Sequence, residues 1–103
     1  MGRFALTPAA KDDLAEITKY IRDRGSPEAA RRVGAKLRQE MRKLADTPGV
    51  GHIRDDVADE SIRVWTVYSY LILYRLETNP LQIIRVLHGA RDIEKIIETE
   101  LPK

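Results

Sequence analysis

The apolar positions in the first half of the chain recur at helical spacing, in two stripes separated by a very short break. Thr7-Pro8 and Ser26-Pro27 each precede a stripe, as an N-cap followed by proline at the first helical position, and Gly25 ends the first helix. The first stripe consists of Leu14, Ile17 and Ile21, and the second of Ala30, Val33, Leu37, Met41 and Leu44. Two amphipathic helices joined this tightly are predicted to form an αα-hairpin.

The second half of the chain changes to short β-branched and aromatic runs, which predict strands over 61–67, 70–76 and 81–88. A short strand is also predicted at 3–6. The turns at Tyr68-Ser69 and Thr78-Asn79-Pro80 are too short for a crossover, so neighbouring strands should be antiparallel. We therefore expect an α+β fold. An N-terminal strand precedes a helical hairpin packed on one face of a small antiparallel sheet, with the other face partly open and a short C-terminal helix following.

Strict alternation along the predicted strands assigns residues to faces. In the last strand it groups Leu81, Ile83, Arg85 and Leu87 against Gln82, Ile84, Val86 and His88. Three arginines lie beside apolar neighbours in the strands, namely Arg63, Arg75 and Arg85. Two interpretations remain open for them: a basic sheet surface edged by aromatic rings, or arginines that extend past an edge or pair with acids.

Size and composition limit the class of protein. The chain has 103 residues, enough for one domain over 1–103, and 43% hydrophobic and 33% charged residues, which is a globular composition. Cysteine is absent, so neither a disulfide framework nor a thiolate metal site is expected. No signal peptide or membrane-spanning run is recognisable, and we expect a cytoplasmic protein. The net charge of +2 permits contact with nucleic acid without requiring it.

The segment from Arg85 to Asp92 is the strongest candidate for a functional site, because ionisable groups cluster where a buried strand ends. Its histidine does not belong to a metal-ligand pattern, and the chain contains no Gly-x-Ser-x-Gly elbow and no phosphate-binding loop. Metal-free RNA cleavage would require a base, an acid and cations, and the residues available for it are His88, Arg85, Arg91 and Arg54. His88 is equally compatible with a hydrogen bond that stabilises the turn, and Asp92 with an N-cap of the last helix.

The order of several segments resembles the ParE toxins, a branch of the ParE/RelE superfamily of type II toxin–antitoxin systems that includes plasmid stabilisation proteins. Residues 6–17 are similar to the opening strand and helix of that family, and residues 44–55 to its helix exit and loop. The strand Tyr70-Leu71-Ile72-Leu73-Tyr74-Arg75 and the segment Arg85 to Asp92 resemble its two sheet motifs. The resemblance covers the whole chain.

The resemblance implies a cytoplasmic toxin that inhibits DNA gyrase by binding, is not an enzyme, uses no cofactor or metal and is neutralised by a ParD-like antitoxin in a hetero-oligomer. It leaves direct contact with nucleic acid open. The target-binding residues are expected to be His88, Arg91, Asp92, Ile93, Ile96 and Ile97. The antitoxin-binding residues are expected to be Tyr74, Arg75, Leu37 and Met41. The three isoleucines are also compatible with a simple role in closing the core.

Two other functions remain open. RelE-like relatives cleave mRNA on the ribosome, and His88 stands where some of them have a catalytic histidine. However, Trp65 or Val64 lies near the position of their arginine, and Gly89 follows His88 where a tyrosine is common. An interaction module without intrinsic toxicity is the third possibility, because poisoning by binding leaves no catalytic motif.

Overall fold

Two capped helices follow a short first strand, as the sequence predicts. In the computed structural model, which describes residues 3–53 and 59–88, β1 spans Phe4–Leu6, α1 spans Pro8–Arg24 and α2 spans Pro27–Asp46. The hydroxyl oxygen of Thr7 accepts the amide N–H of Ala10 at 3.1 Å, and that of Ser26 accepts the amide N–H of Ala29 at 3.0 Å. Each cap satisfies one of the donors that a helix N-terminus leaves unpaired.

The strands form one four-stranded sheet in the order β1-β4-β3-β2, in which β2 spans Ile62–Val67, β3 spans Tyr70–Arg75 and β4 spans Leu81–His88. A 3-10 turn over Pro48–Val50 follows α2. The pairs β2–β3 and β3–β4 are antiparallel, as predicted from their short connections. The pair β1–β4 is parallel, a pairing that the sequence does not predict.

A β-bulge interrupts β4 and changes which residues share a face. Leu73 of β3 pairs with Arg85, whereas the next residue, Tyr74, pairs with Ile83, so Ile84 is an extra residue in β4. The prediction of strict alternation along β4 is therefore wrong. Ile83 and Val86 both contribute to the core beneath the helices, whereas Ile84 and Leu87 pack in a second cluster.

Apolar side chains are buried on both faces of the sheet. The core between helices and sheet contains Leu14, Leu37, Met41, Leu44, Ile72, Tyr74, Ile83 and Val86. The second cluster contains Ile62, Val64, Leu71, Leu73, Ile84 and Leu87, of which none is more than 8% exposed. The expectation of a partly open face is therefore wrong, because the alternation of three strands supplies this face with aliphatic side chains that are stabilised by burial.

Neither α1 nor α2 is long and apolar enough to cross a membrane. The expected C-terminal helix, with Ile93, Ile96 and Ile97, lies outside the described residues. The strands, the helical hairpin and its packing on the sheet confirm the α+β architecture.

Candidate functional site

A cleft of about 430 Å³ lies between α1 and the end of the sheet at which β4 stops. Its walls are formed by Asp13, Glu16, Ile17, Tyr20, Tyr70, Val86 and His88. The strand β1 does not reach this end of the sheet, because it pairs only with the beginning of β4, from Leu81 to Ile83. The candidate histidine is thus placed at the rim of a concave surface, which is where binding groups are commonly found.

Two aromatic rings at the rim of the cleft, those of Tyr70 and His88, contact each other. The rings of Tyr70 and His88 meet edge to face, with centroids 5.5 Å apart and an interplanar angle of 83°. Burial raises the pKa of the Tyr70 phenol above its ordinary value, and the neighbouring Tyr20 adds to the shift. Tyr70 therefore keeps its proton well above neutral pH. His88 is exposed at the end of β4.

A buried ion pair forms the floor beneath this cleft. The carboxylate of Asp13 on α1 accepts hydrogen bonds from Arg85 Nε at 2.6 Å and Nη2 at 2.8 Å, and from the amide N–H of Val86 at 3.0 Å. Arg85 is 6% and Asp13 7% exposed. The hydrogen bond with Asp13 raises the pKa of Arg85 above its ordinary value despite burial, so this guanidinium stays charged and does not exchange protons.

The other two strand arginines also have partners, but on different sides of the sheet. Arg75 donates from Nη1 to Asp59 Oδ2 at 3.1 Å and to the Ser61 hydroxyl at 2.9 Å. The Ser61 hydroxyl bond, its backbone bond and Arg75 together lower the pKa of Asp59. Arg63 donates to the Glu60 carbonyl. The arginines therefore do not form a common basic surface, and the interpretation of paired arginines is correct for Arg75 and Arg85.

Three of the four residues expected to contact an antitoxin are core residues. Leu37, Met41 and Tyr74 are each 0% exposed, so they present no surface to a partner, and the expectation of direct contact is corrected. Helical spacing identified the first two as members of an apolar stripe, but this stripe faces the sheet. Arg75 remains half-buried beside Asp59, and its contact with an antitoxin stays a prediction.

Tyr74 instead anchors the segment that follows α2. Its hydroxyl donates to the Pro48 carbonyl and accepts the amide N–H of Gly51 at 3.0 Å. A Cβ at Gly51 would overlap the Tyr74 hydroxyl, so glycine is required by this close approach. Next to it, His52 exchanges two backbone hydrogen bonds with Val64 and extends the edge of β2.

A second, smaller concavity lies on the opposite flank of α1, where α1 meets α2. This groove of about 180 Å³ is lined by Leu6, Lys11, Leu14, Ala15, Thr18 and Arg38. Lys11 and Arg38 are both exposed, and the structure shows no ion pair for either of them within residues 3–53 and 59–88. The groove thus combines an apolar floor with two cations.

The structure brings His88 and Arg85 to the same end of β4 but gives them different surroundings, one at the rim and one in the floor. Arg54, Arg91 and Asp92 lie outside the described residues, as do Ile93, Ile96 and Ile97. In the part of the chain that is described, no three His, Cys, Asp or Glu side chains are grouped to hold a metal ion.

The sequence interpretation missed the α1 side of the cleft. A signal was available, because Asp13, Ile17 and Tyr20 are spaced by four and three residues and therefore share one flank of the helix. A carboxylate on that flank, next to an apolar stripe, is the kind of partner that an arginine in a buried strand requires.

Comparison with known proteins gives concordant results. The family model described as the ParE toxin of the type II toxin–antitoxin system parDE matches residues 4–93. Toxin ParE1 of Mycobacterium tuberculosis, strains CDC 1551 and H37Rv, is 27% identical over 95 residues, which cover 91% of this chain and 96% of that toxin. A solved chain of the chromosomal ParDE TA system from P. aeruginosa superposes with a TM-score of 0.71 at 20% identity, covering 85% of this chain and 96% of that chain. This structural likeness supports the fold.

Proposed function

Because this chain belongs to the ParE toxin family of type II toxin–antitoxin systems, we propose that it inhibits DNA gyrase by binding and without catalysis. We also propose that a ParD-like antitoxin neutralises it in a hetero-oligomeric complex in the cytoplasm. The toxin acts as one domain. Its target-facing surface begins at His88, at the rim of the cleft.

The buried pair between Asp13 and Arg85 is the observation that carries the binding mechanism. Metal-free RNA cleavage needs cations that reach the phosphate and stabilise the charge that develops there. Arg85 Nε and Nη2 are both engaged by Asp13 beneath the surface. Arg85, three residues before His88, is therefore committed to Asp13, which disfavours a role of His88 as the base of a ribonuclease.

The groove between α1 and α2 supports the proposal of an antitoxin partner. Its apolar floor and the two cations Lys11 and Arg38 fit a segment that carries aliphatic and acidic side chains. Lys11 and Arg38 are exposed, so they replace the buried Leu37, Met41 and Tyr74 as the residues that we expect to contact the antitoxin. Arg75, on β3, remains a candidate for a second contact.

The proposal is tested by expressing the toxin in bacteria without its antitoxin, and by two assays with purified protein. We expect growth arrest, loss of gyrase supercoiling and intact ribosome-bound mRNA. The variant His88→Ala should reduce supercoiling inhibition, and the matched variant Tyr68→Ala, at an exposed aromatic residue outside the cleft lining, should not. Cleaved mRNA with normal supercoiling would contradict the proposal and favour the ribonuclease. A folded protein that causes no arrest would leave only an interaction module.

A further inference from the structure

The cleft beside β4 carries one exposed carboxylate, Glu16, which interacts electrostatically with the buried Arg85 but forms no direct ion pair with a described residue. Its two acids are Asp13 and Glu16, and the first is neutralised by Arg85 in the floor. Glu16 is exposed on α1, and no described residue forms a hydrogen bond or ion pair with it. Asp13, Glu16 and Arg85 together leave one net negative charge on the α1 wall of the cleft, although the chain as a whole has a net charge of +2.

The remaining walls suit a cation with a flat, delocalised charge. Tyr20, Tyr70 and His88 all line the cleft, and Tyr20 is 57% exposed. The ring of Tyr20 already receives the guanidinium of Arg24, whose Cζ lies 4.9 Å from the ring centroid. Aromatic faces attract cations, and guanidinium stacks on them better than ammonium does. Arg24 occupies one face of Tyr20, so the rings of Tyr70 and His88 together with the exposed carboxylate of Glu16 favour an additional arginine side chain.

The position of the cleft indicates which partner supplies this arginine. The helix α1 separates the cleft from the groove that contains Lys11 and Arg38. A helix with its side chains is about 10–12 Å wide, so one protein segment that crosses α1 can reach both concavities. We propose that the cleft binds an arginine side chain of the antitoxin, on the same segment that places an acidic side chain against Lys11 and Arg38.

This assignment rests on the proposed function, since it requires an antitoxin. It also specifies the orientation in which the antitoxin segment crosses α1. The two flanks of α1 have opposite charge, so a segment laid across the helix in reverse would bring like charges together. An arginine in the cleft would also cover His88, the first residue of the proposed target-facing surface. Neutralisation by the antitoxin would then follow from direct competition for this rim.

The chemistry of the cleft is tested with small probes on the isolated toxin. We expect N-acetyl-arginine amide to cause saturable NMR shifts at Tyr70 and His88 at millimolar concentrations, and the uncharged isostere N-acetyl-citrulline amide to cause none. Glu16→Gln should weaken probe binding by about fivefold or more. The matched variant Asp23→Asn, an exposed acid of the same helix outside the cleft, should leave it unchanged. Equal shifts with both probes would overturn the assignment.

The source of the arginine is tested in the complex. Antitoxin should close the cleft to the probe, and one Arg→Gln variant of the antitoxin should weaken its binding to the native toxin by about fivefold more than its binding to Glu16→Gln toxin. A complex that still binds the probe, or additive effects for every arginine of the antitoxin, would exclude the antitoxin as the source. These experiments do not involve gyrase, so failure of the proposed target would not affect their outcome.

Discussion

At the scale of single residues, the pair Asp13–Arg85 determines how α1 sits on β4. Both side chains are almost completely buried, and the carboxylate also accepts the amide N–H of Val86. Removing one partner of a buried pair leaves an uncompensated charge, which costs about 3–5 kcal/mol. We therefore expect Asp13→Asn to reduce the free energy of unfolding, measured by urea denaturation, by about 3 kcal/mol.

Two further variants separate the lost charge from any general effect of substitution in α1. Asp12→Asn, at the exposed neighbouring position, should change the free energy of unfolding by no more than about 0.5 kcal/mol. The double variant Asp13→Leu with Arg85→Met should recover part of the loss, because it removes both buried charges but leaves the amide N–H of Val86 without its acceptor. If Asp13→Asn were as stable as Asp12→Asn, the ion pair would not hold α1 to the sheet.

The close contact between Gly51 and Tyr74 is a second place where one substitution should change the stability of the protein. A Cβ at Gly51 would overlap the Tyr74 hydroxyl, whereas a Cβ at Gly49 would meet no atom within 4 Å. We expect Gly51→Ala to destabilise the protein by about 1–3 kcal/mol, since it breaks the hydrogen bonds of a buried phenol. The change should appear as a lower melting temperature in circular dichroism.

The matched control for this contact is Gly49→Ala, which should leave the melting temperature nearly unchanged. Combining Gly51→Ala with Tyr74→Phe should cost less than the sum of the two single variants, because the phenylalanine removes the hydroxyl oxygen, which is the closest of the atoms that the new methyl group would meet. Strict additivity would contradict the proposed clash.

At the scale of elements, the sequence predicts the helix starts and strand bounds that depend on the spacing of neighbouring residues. The caps and prolines at Thr7-Pro8 and Ser26-Pro27 mark both helix starts, and the strand β4 has the predicted bounds Leu81–His88. The parallel pairing of β1 and the bulge at Ile84 were not predicted. Both depend on pairing between residues far apart in the chain, which leaves no periodic signal in either strand.

In the candidate site, too, features set by neighbouring residues are predicted from the sequence, whereas contacts between distant residues are not. The sequence places His88 at the polar end of a buried strand, and in the structure it lies at the rim of the cleft, while its contact with a target stays a prediction. The role of Arg85 was left open, because its partner Asp13 is 72 residues away. Leu37 and Met41 are buried and not at a surface, because periodicity identifies an apolar face without showing what covers it, and Tyr74, which the sequence places in a strand, is buried as well.

Thr7 joins two elements, and its loss should therefore cost more than the loss of a simple cap. Its hydroxyl accepts the Ala10 amide N–H and also donates to the Ile84 carbonyl at 2.7 Å, next to the bulge. We expect Thr7→Val to destabilise the protein by about 2 kcal/mol and Ser26→Ala, which removes a cap alone, by about 1 kcal/mol. Urea denaturation compares the two, and Thr7→Ser should restore most of the loss. Equal losses for Thr7→Val and Ser26→Ala would mean that the bond to Ile84 contributes nothing.

At the scale of the whole molecule, the groove and the proposed target-facing rim at His88 lie on different sides of α1, so the antitoxin contacts in the groove should be separable from toxicity by mutation. Lys11→Glu with Arg38→Glu reverses the charge of the groove without touching the cleft or His88. We expect this toxin to arrest growth as the native protein does but to escape the antitoxin, with affinity in a pull-down titration reduced by about tenfold or more.

The matched control reverses two exposed cations outside the groove, Lys19→Glu with Arg32→Glu, which changes the net charge equally. Since long-range attraction depends on net charge, this variant should slow association slightly at low salt but leave neutralisation intact. If the control escaped the antitoxin as well, general electrostatic attraction would explain the binding and the groove would have no special role. If the groove variant instead lost toxicity while remaining folded, the groove would also contact the target, and its contacts with the antitoxin would not be separable from toxicity.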